Sequence, residues 1–259
     1  METKNSELVL NVIQFNNSQN KVTASDFRST DNVQKRLKDQ FLKIPKAEYT
    51  GGRRGSYGDA IQRRPNLLPS YTVGQALAAL HGEPVIAYNQ KTNIWVNDRL
   101  YAKYFNEDTT ASHIVFAYGL LRAIETRKIH LVEKARKNEL SLTKAEQLQL
   151  QFFRKRGSIY ILVSAIAACI ETFTSRRIPN TFRLSFGDRT SPAEAQKIWD
   201  AVVSATVPFC SQLEDAMTDG LKNMEKVNKA IQIFHALAQS TVSANEVTYK
   251  QFTNRVKPA

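Results

Sequence analysis

The first chemically distinctive stretch lies near the start of the sequence, where residues 15–28 read FNNSQNKVTASDFR. Our candidate binding residues in it are Asn17, Gln19, Asn20, Lys21, Asp26 and Arg28. Amide side chains present a donor beside an acceptor, which matches a base edge or a peptide backbone. Turn and helix-cap preferences account for residues 23–26. They do not account for three amides within residues 17–20, so we predict that this segment binds a ligand.

A second candidate site is the loop TGGRRGSYGDAIQRRP at residues 50–65. Its basic and aromatic candidates are Arg53, Arg54, Tyr57, Arg63 and Arg64. Glycine lets a backbone approach phosphate closely, arginine grips phosphate with two parallel hydrogen bonds, and tyrosine stacks on a base. We therefore predict a nucleic-acid-binding loop. The alternative, that these arginines are only solvated surface residues, stays open.

The remaining reactive residues offer little for catalysis. The four histidines, His81, His113, His130 and His235, have no metal-ligand spacing among themselves or with a cysteine, so we expect no metal and no cofactor. The sequence also lacks a Walker A loop, a Gly-x-Ser-x-Gly turn and an Asp followed by Glu-x-Lys. We expect that this chain alone is not an enzyme, and a nuclease completed by another chain remains an alternative.

The elements that must position the two candidate segments are mainly helices. Thr23 or Ser25 is expected to cap a helix whose buried stripe is Val33, Leu37 and Phe41. The further predictions for this part are a short strand at residues 47–50, a helix at 72–80 and a β-hairpin made of residues 83–89 and 92–98.

The second half reads as helix almost throughout. The first three predicted helices are one over residues 111–137, one capped by Ser141 and an apolar one from Gly157 to 174. The next has Ser191 as its cap and Pro192 at its first position. Two helices that meet near Gly220 follow, and a last helix begins with a Ser243–Glu246 capping box. The fold class is therefore mainly α. We expect a mixed α/β portion over residues 1–105 and a helical bundle over residues 106–259.

Composition narrows the cellular setting. At 42% hydrophobic the chain can bury a core, and its longest apolar run, residues 159–170, is too short to span a membrane, so we expect no membrane partner. The start of the sequence does not read as a secretory signal, and the two cysteines lie far apart, so we expect a cytoplasmic protein. The net charge of +12 favours a polyanionic partner, nucleic acid first.

Four pieces of the first half occur in an order that resembles the AIPR family, named for abortive infection phage resistance. They are the segment at residues 15–41, the AEYTGGRRGSYGD segment, the TVGQALAAL segment and the stretch from residue 83 to 105. The matching positions are Asn17, Gln19, Asn20, Val22, Asp26, Phe27, Ser29, Tyr49, Arg53, Arg54, Gly55, Ala76 to Ala79, Tyr101 and Phe105. The resemblance covers about residues 5–106 and carries no recognisable motif beyond them.

This resemblance implies a role in phage defence. Members of the family typically carry an upstream N-G-x-Q-T segment that this sequence lacks, so we expect a truncated or split member with an N-terminal or companion defence subunit. Together with the charge, the resemblance favours a non-catalytic part that recognises nucleic acid, either DNA or RNA. A helical protein-interaction subunit of a defence complex and a part of a nuclease completed by another chain are the alternatives.

Overall fold

Helices make up most of the computed structural model, which describes residues 24–50 and 66–258. The α-helices are α1 (Asn32–Phe41), α2 (Ser70–Leu80), α3 (Pro84–Asn89), α4 (Asn93–Val96), α5 (Asp98–Tyr104), α6 (Ala111–Lys137), α7 (Lys144–Arg154), α8 (Ser158–Ala168), α9 (Ile170–Thr174), α10 (Pro192–Thr206), α11 (Met224–Ser240) and α12 (Glu246–Arg255). Six 3-10 segments join them, at Ala24–Arg28, Glu139–Ser141, Thr181–Arg183, Val207–Leu213, Asp215–Met217 and Ser243–Asn245. The predicted mainly α fold class is confirmed.

Two small sheets accompany the helices. Strand β1 (Glu48–Tyr49) lies parallel to β2 (Leu67–Leu68), with Glu48 opposite Leu67 and Tyr49 opposite Leu68. This confirms the strand predicted at residues 47–50, whereas its partner β2 was not predicted. Strand β3 (Leu184–Ser185) pairs antiparallel with β4 (Lys257–Pro258).

Helix α6 is the central element of the core. Its first half, from Ala111 to Ile124, is apolar on nearly all sides and buried between α2 and α10. Gly119 allows the close crossing with α10, since a Cβ built there would lie 2.9 Å from the Ala195 Cβ. One continuous apolar core includes both Leu37 of α1 and Phe252 of α12. The division into residues 1–105 and 106–259 therefore stays a prediction.

Several predicted helices are confirmed with their sequence signals. Helix α6 runs unbroken over residues 111–137, and α2 covers the predicted residues 72–80. Ser191 caps α10 by accepting from the Glu194 backbone N–H, and Pro192 occupies the first turn. Of the predicted apolar stripe on α1, Leu37 and Phe41 are buried and Val33 is partly buried against the core.

The predicted β-hairpin at residues 83–98 is wrong, because this stretch folds into α3 and α4 and the start of α5. Pro84 lies in the first turn of α3, where its missing N–H costs nothing. The helical turns bury Ala87, Ile94 and Trp95 completely against the core. Burial of these side chains outweighs the strand preference of the β-branched and aromatic residues, which is weak and depends on context.

Four smaller predictions are also corrected. The cap of α7 is Thr143, not Ser141, because Thr143 and Glu146 form a reciprocal capping box. The chain before Gly220 forms 3-10 turns instead of an α-helix, and Gly220 itself has a left-handed φ of 75°. The predicted Ser243–Glu246 capping box does not form, because residues 243–245 make a 3-10 turn and α12 has no side-chain cap. Ser25 was predicted as a possible cap of α1 but does not cap it, because residues 24–28 form a separate 3-10 helix and α1 begins at Asn32. The other predicted cap, Thr23, lies outside the described residues.

Candidate functional site

Two of the predicted binding residues, Asp26 and Arg28, lie within the described part of the chain. The other nine fall outside the described residues: Asn17, Gln19, Asn20, Lys21, Arg53, Arg54, Tyr57, Arg63 and Arg64. The described residues next to both predicted segments therefore define the geometry of the candidate site. Asp26 lies in the first turn of the 3-10 helix Ala24–Arg28, and its backbone carbonyl accepts a hydrogen bond from the Ser29 N–H.

Arg28 joins this 3-10 helix to α4 and α5. Its Nε donates to the Trp95 carbonyl at 2.9 Å, and its Nη2 forms an ion pair with Asp98. The guanidinium group also lies 4.5 Å from the centre of the Tyr101 ring, a favourable cation–π geometry. Arg28 therefore helps to hold this part of the fold together. Its predicted contact with nucleic acid stays a prediction.

A buried glutamine, Gln34 of α1, connects the surroundings of the two predicted segments. Its Nε2 donates to the Tyr101 hydroxyl at 3.0 Å, and its Oε1 accepts from the Tyr49 hydroxyl at 2.7 Å. Gln34 has no exposed surface. The sequence reading missed this residue, although a polar side chain three positions before the buried Leu37 was a signal for it.

The two tyrosines act as neutral hydrogen-bonding groups. Burial raises the pKa of Tyr49 well above its usual range, and burial also raises the pKa of Tyr101 to about 12. Both hydroxyls therefore keep their protons at neutral pH, so they can donate as well as accept. Hydrogen bonds therefore connect Tyr101, Gln34 and Tyr49, and the cation–π contact adds Arg28.

Both ends of the glycine-rich stretch are fixed by hydrogen bonds. On the β1 side, the Thr50 hydroxyl lies 2.6 Å from the Ser70 hydroxyl and accepts from the Ser70 backbone N–H at 2.9 Å. On the β2 side, the Asn66 carbonyl accepts from the Glu48 N–H at 2.9 Å. Because β1 and β2 are neighbours, residues 50 and 66 lie beside the same small sheet. The Tyr49 bond to Gln34 ties that sheet to α1.

A second buried polar cluster was not predicted from the sequence. His113 Nδ1 lies 2.9 Å from the Leu184 carbonyl, which only accepts, so Nδ1 carries the hydrogen and Nε2 of the neutral ring does not. His81 Nε2, 3.1 Å from His113 Nε2, is then the donor, and His81 Nδ1 accepts from the Thr181 hydroxyl at 3.2 Å. The two histidines are 32 positions apart, so no local spacing marked them as a pair.

The histidine pair is not part of a larger metal-binding cluster. Within residues 24–50 and 66–258, no group of three or more His, Cys, Asp or Glu side chains is placed to hold a metal ion. In the same residues, no helix has both the length and the apolar character that crossing a membrane requires.

The comparison with protein families agrees with the motif order. The model of the family described as AIPR protein matches residues 1–255, so the match includes the helical half, where the sequence motifs gave no indication. No curated protein and no solved structure matches the chain. A match over nearly the whole sequence places this chain in the AIPR family, which is associated with abortive-infection phage resistance.

Proposed function

We propose that this AIPR chain supplies a non-catalytic, nucleic-acid-recognising part to phage defence. The observation that carries the proposal is the connection of both predicted binding segments to Gln34. Arg28 closes the amide-rich segment and stacks on Tyr101, while Tyr49 precedes the glycine-rich loop, and both tyrosines bond to Gln34. Segments anchored to one rigid core can present their side chains to a single ligand.

The chemistry of the two segments suits complementary parts of a nucleic acid. Arginines at residues 53, 54, 63 and 64 neutralise phosphates, and the amides of Asn17, Gln19 and Asn20 pair with base edges. The net charge of +12 supports attraction to a polyanion.

Fluorescence anisotropy with labelled single-stranded DNA, duplex DNA and RNA at several salt concentrations tests the proposal. We expect binding that weakens steeply with salt. For duplex DNA, replacing Arg53 and Arg54 by alanine should lower the slope of log affinity against log salt by about 2, because each lost phosphate contact removes about 0.9. The variant Arg176→Ala/Arg177→Ala is the matched control, since it removes two exposed cations elsewhere.

The outcomes separate the parts of the proposal. An absence of binding to all three nucleic acids even at low salt refutes it. If both double variants lower the slope equally, the charge acts non-specifically and the glycine-rich loop is not the site. If the variant Asn17→Ala/Gln19→Ala/Asn20→Ala binds like the wild type, the amides have no role in recognition.

The second candidate function is a helical protein-interaction subunit of a defence complex. The observation that favours it is an exposed, strongly basic helical hairpin formed by the second half of α6 together with α7.

A further inference from the structure

The positive charge of the described chain is concentrated in one helical hairpin. Residues 127–156 contain nine Lys or Arg residues and three Glu residues, an excess of six positive charges. The described residues together contain thirty Lys or Arg and twenty-one Asp or Glu, an excess of nine. Two thirds of the excess therefore lies in thirty residues of the second half of α6, the turn after it and α7.

Ion pairs neutralise only part of the positive charge of this hairpin. Lys134 Nζ lies 2.7 Å from the Glu146 carboxylate, and Lys155 pairs with Glu214 outside the hairpin. The contact of Arg154 with Glu139 is long, at 4.0 Å. Among the described residues, no ion pair engages three exposed cations of the hairpin, namely Arg136, Lys137 and Lys144.

Three apolar side chains are exposed on the same hairpin. Leu140, at the turn between the helices, is 94% exposed, Leu148 is 49% exposed and Val132 is 44% exposed. Because exposed apolar side chains and exposed cations occur together on this hairpin, we consider it as a candidate surface for a partner. We define the hairpin surface as Val132, Arg136, Lys137, Leu140, Lys144 and Leu148.

The composition of the hairpin surface favours a protein over a single-stranded nucleic acid or a lipid surface. Single-stranded nucleic acids need exposed aromatic rings for stacking, and the two aromatic residues of the hairpin, Phe152 and Phe153, are fully buried. Membrane-surface helices carry a long apolar face, whereas this hairpin exposes only three large apolar side chains and also exposes Glu133 and Glu139.

We propose that the hairpin surface docks an acidic protein segment that carries apolar side chains. Carboxylates of the partner pair with Arg136, Lys137 and Lys144, and its apolar residues cover Leu140 and Leu148. The charge of the surface steers the encounter and the leucines add contact area that excludes water. This role is separate from the nucleic-acid contacts proposed for residues 17–64.

The probe is a short labelled peptide of alternating Glu-Glu and Leu-Leu pairs, with polyglutamate of equal charge, oligothymidine and phosphatidylserine-containing vesicles as comparisons. The charge variant is Arg136→Ser/Lys137→Ser/Lys144→Ser, and the apolar variant is Leu140→Ser/Leu148→Ser. Arg176→Ser/Arg177→Ser/Lys229→Ser removes three exposed cations elsewhere and is the matched control. All of the changed side chains are exposed, and thermal unfolding of each full-length variant verifies that it folds.

We expect the charge variant to bind the Glu-Leu peptide about tenfold more weakly than the control variant, because it loses three exposed ion pairs that are each weak. The apolar variant should lose affinity for the Glu-Leu peptide and keep its affinity for polyglutamate. Failure of the wild type to bind the peptide, or equal losses in the charge and control variants, overturns the proposal. Hairpin substitutions that weaken oligothymidine or vesicle binding more than peptide binding overturn it in favour of those partners.

Discussion

Lowering the pH from 7 to 5 should destabilise this protein, in part through the buried side chain of His113. The ring has no exposed surface, and its contacts with the Leu184 carbonyl and with His81 determine which ring nitrogen carries the hydrogen. Burial lowers the pKa of His113 to about 4, although the bond to Leu184 acts in the opposite direction. In the unfolded chain the same ring has its ordinary pKa of about 6.5.

The sign and size of the effect follow from these two pKa values. Below about pH 6.5 the unfolded chain binds a proton on residue 113 that the folded chain does not bind, so unfolding becomes more favourable as the pH falls. The stability from neutral His113 is complete above that pH and is lost progressively down to about pH 4. In the unfolded chain at pH 5, protonated rings outnumber neutral rings by about 30 to 1. This ratio corresponds to a loss of about 2 kcal/mol in the free energy of unfolding.

Urea unfolding followed by circular dichroism, at closely spaced pH values, measures this loss. Carboxylates also titrate in this range, so the useful quantity is the difference between the wild type and His113→Gln, which cannot titrate at this position. The wild type should lose about 2 kcal/mol more than His113→Gln between pH 7 and pH 5. His130→Gln removes an exposed histidine from the same helix and is the matched control. Equal pH dependence of the wild type and His113→Gln would refute the reasoning.

Three further substitutions test the packing and the polar contacts of the fold by urea unfolding. Gly119→Ala gains about 1 kcal/mol of helix propensity but places a Cβ 2.9 Å from a Cβ of α10, so we expect a net loss of about 1 kcal/mol of stability. A gain in stability would contradict the close crossing of the two helices. Gln34→Leu should cost about 1–3 kcal/mol by leaving two hydroxyls without their partner, and the cost should shrink when Tyr49→Phe is already present. Thr143→Ala should lower the stability by about 1 kcal/mol because the capping box is lost. A larger loss for Ser141→Ala would indicate that Ser141 is the cap, as the sequence predicted.

Helix positions in this chain were predictable wherever the local pattern and the tertiary environment agree. Helix α6 has a continuous apolar pattern over its first half and charged residues over its second, and α10 begins with a Ser-Pro signal. The stretch at residues 83–98 failed because its Ile, Trp and Val side chains fit a strand as well as a helix. Its contacts with α2, with α8 and with the 3-10 helix Ala24–Arg28 select the helical form, and those contacts are not visible in the sequence.

The outer part of the candidate site stays a prediction, and the buried residues that support it were not predictable. The amide-rich segment and the arginine-rich loop stand out by composition alone, whereas Gln34 is one polar residue on a helix face. Its role appears only when the fold brings Tyr49 and Tyr101 to opposite ends of its amide. The pair of His81 and His113 was hidden for the same reason, because contacts between residues far apart in sequence leave no local spacing to detect.

The position of α6 indicates how the two proposed surfaces relate. The helix begins next to α1, where the Gln40 side chain accepts from the Ala111 N–H at 2.9 Å, and its other end forms the basic hairpin with α7. At about 1.5 Å per residue, its 27 residues separate these ends by about 40 Å. Both ends belong to one continuous helix, so a ligand at the hairpin does not cover the α1 side. We therefore expect the Glu-Leu peptide and a short oligonucleotide to bind together without competition, and mutual exclusion of the two would show that they share a single basic surface.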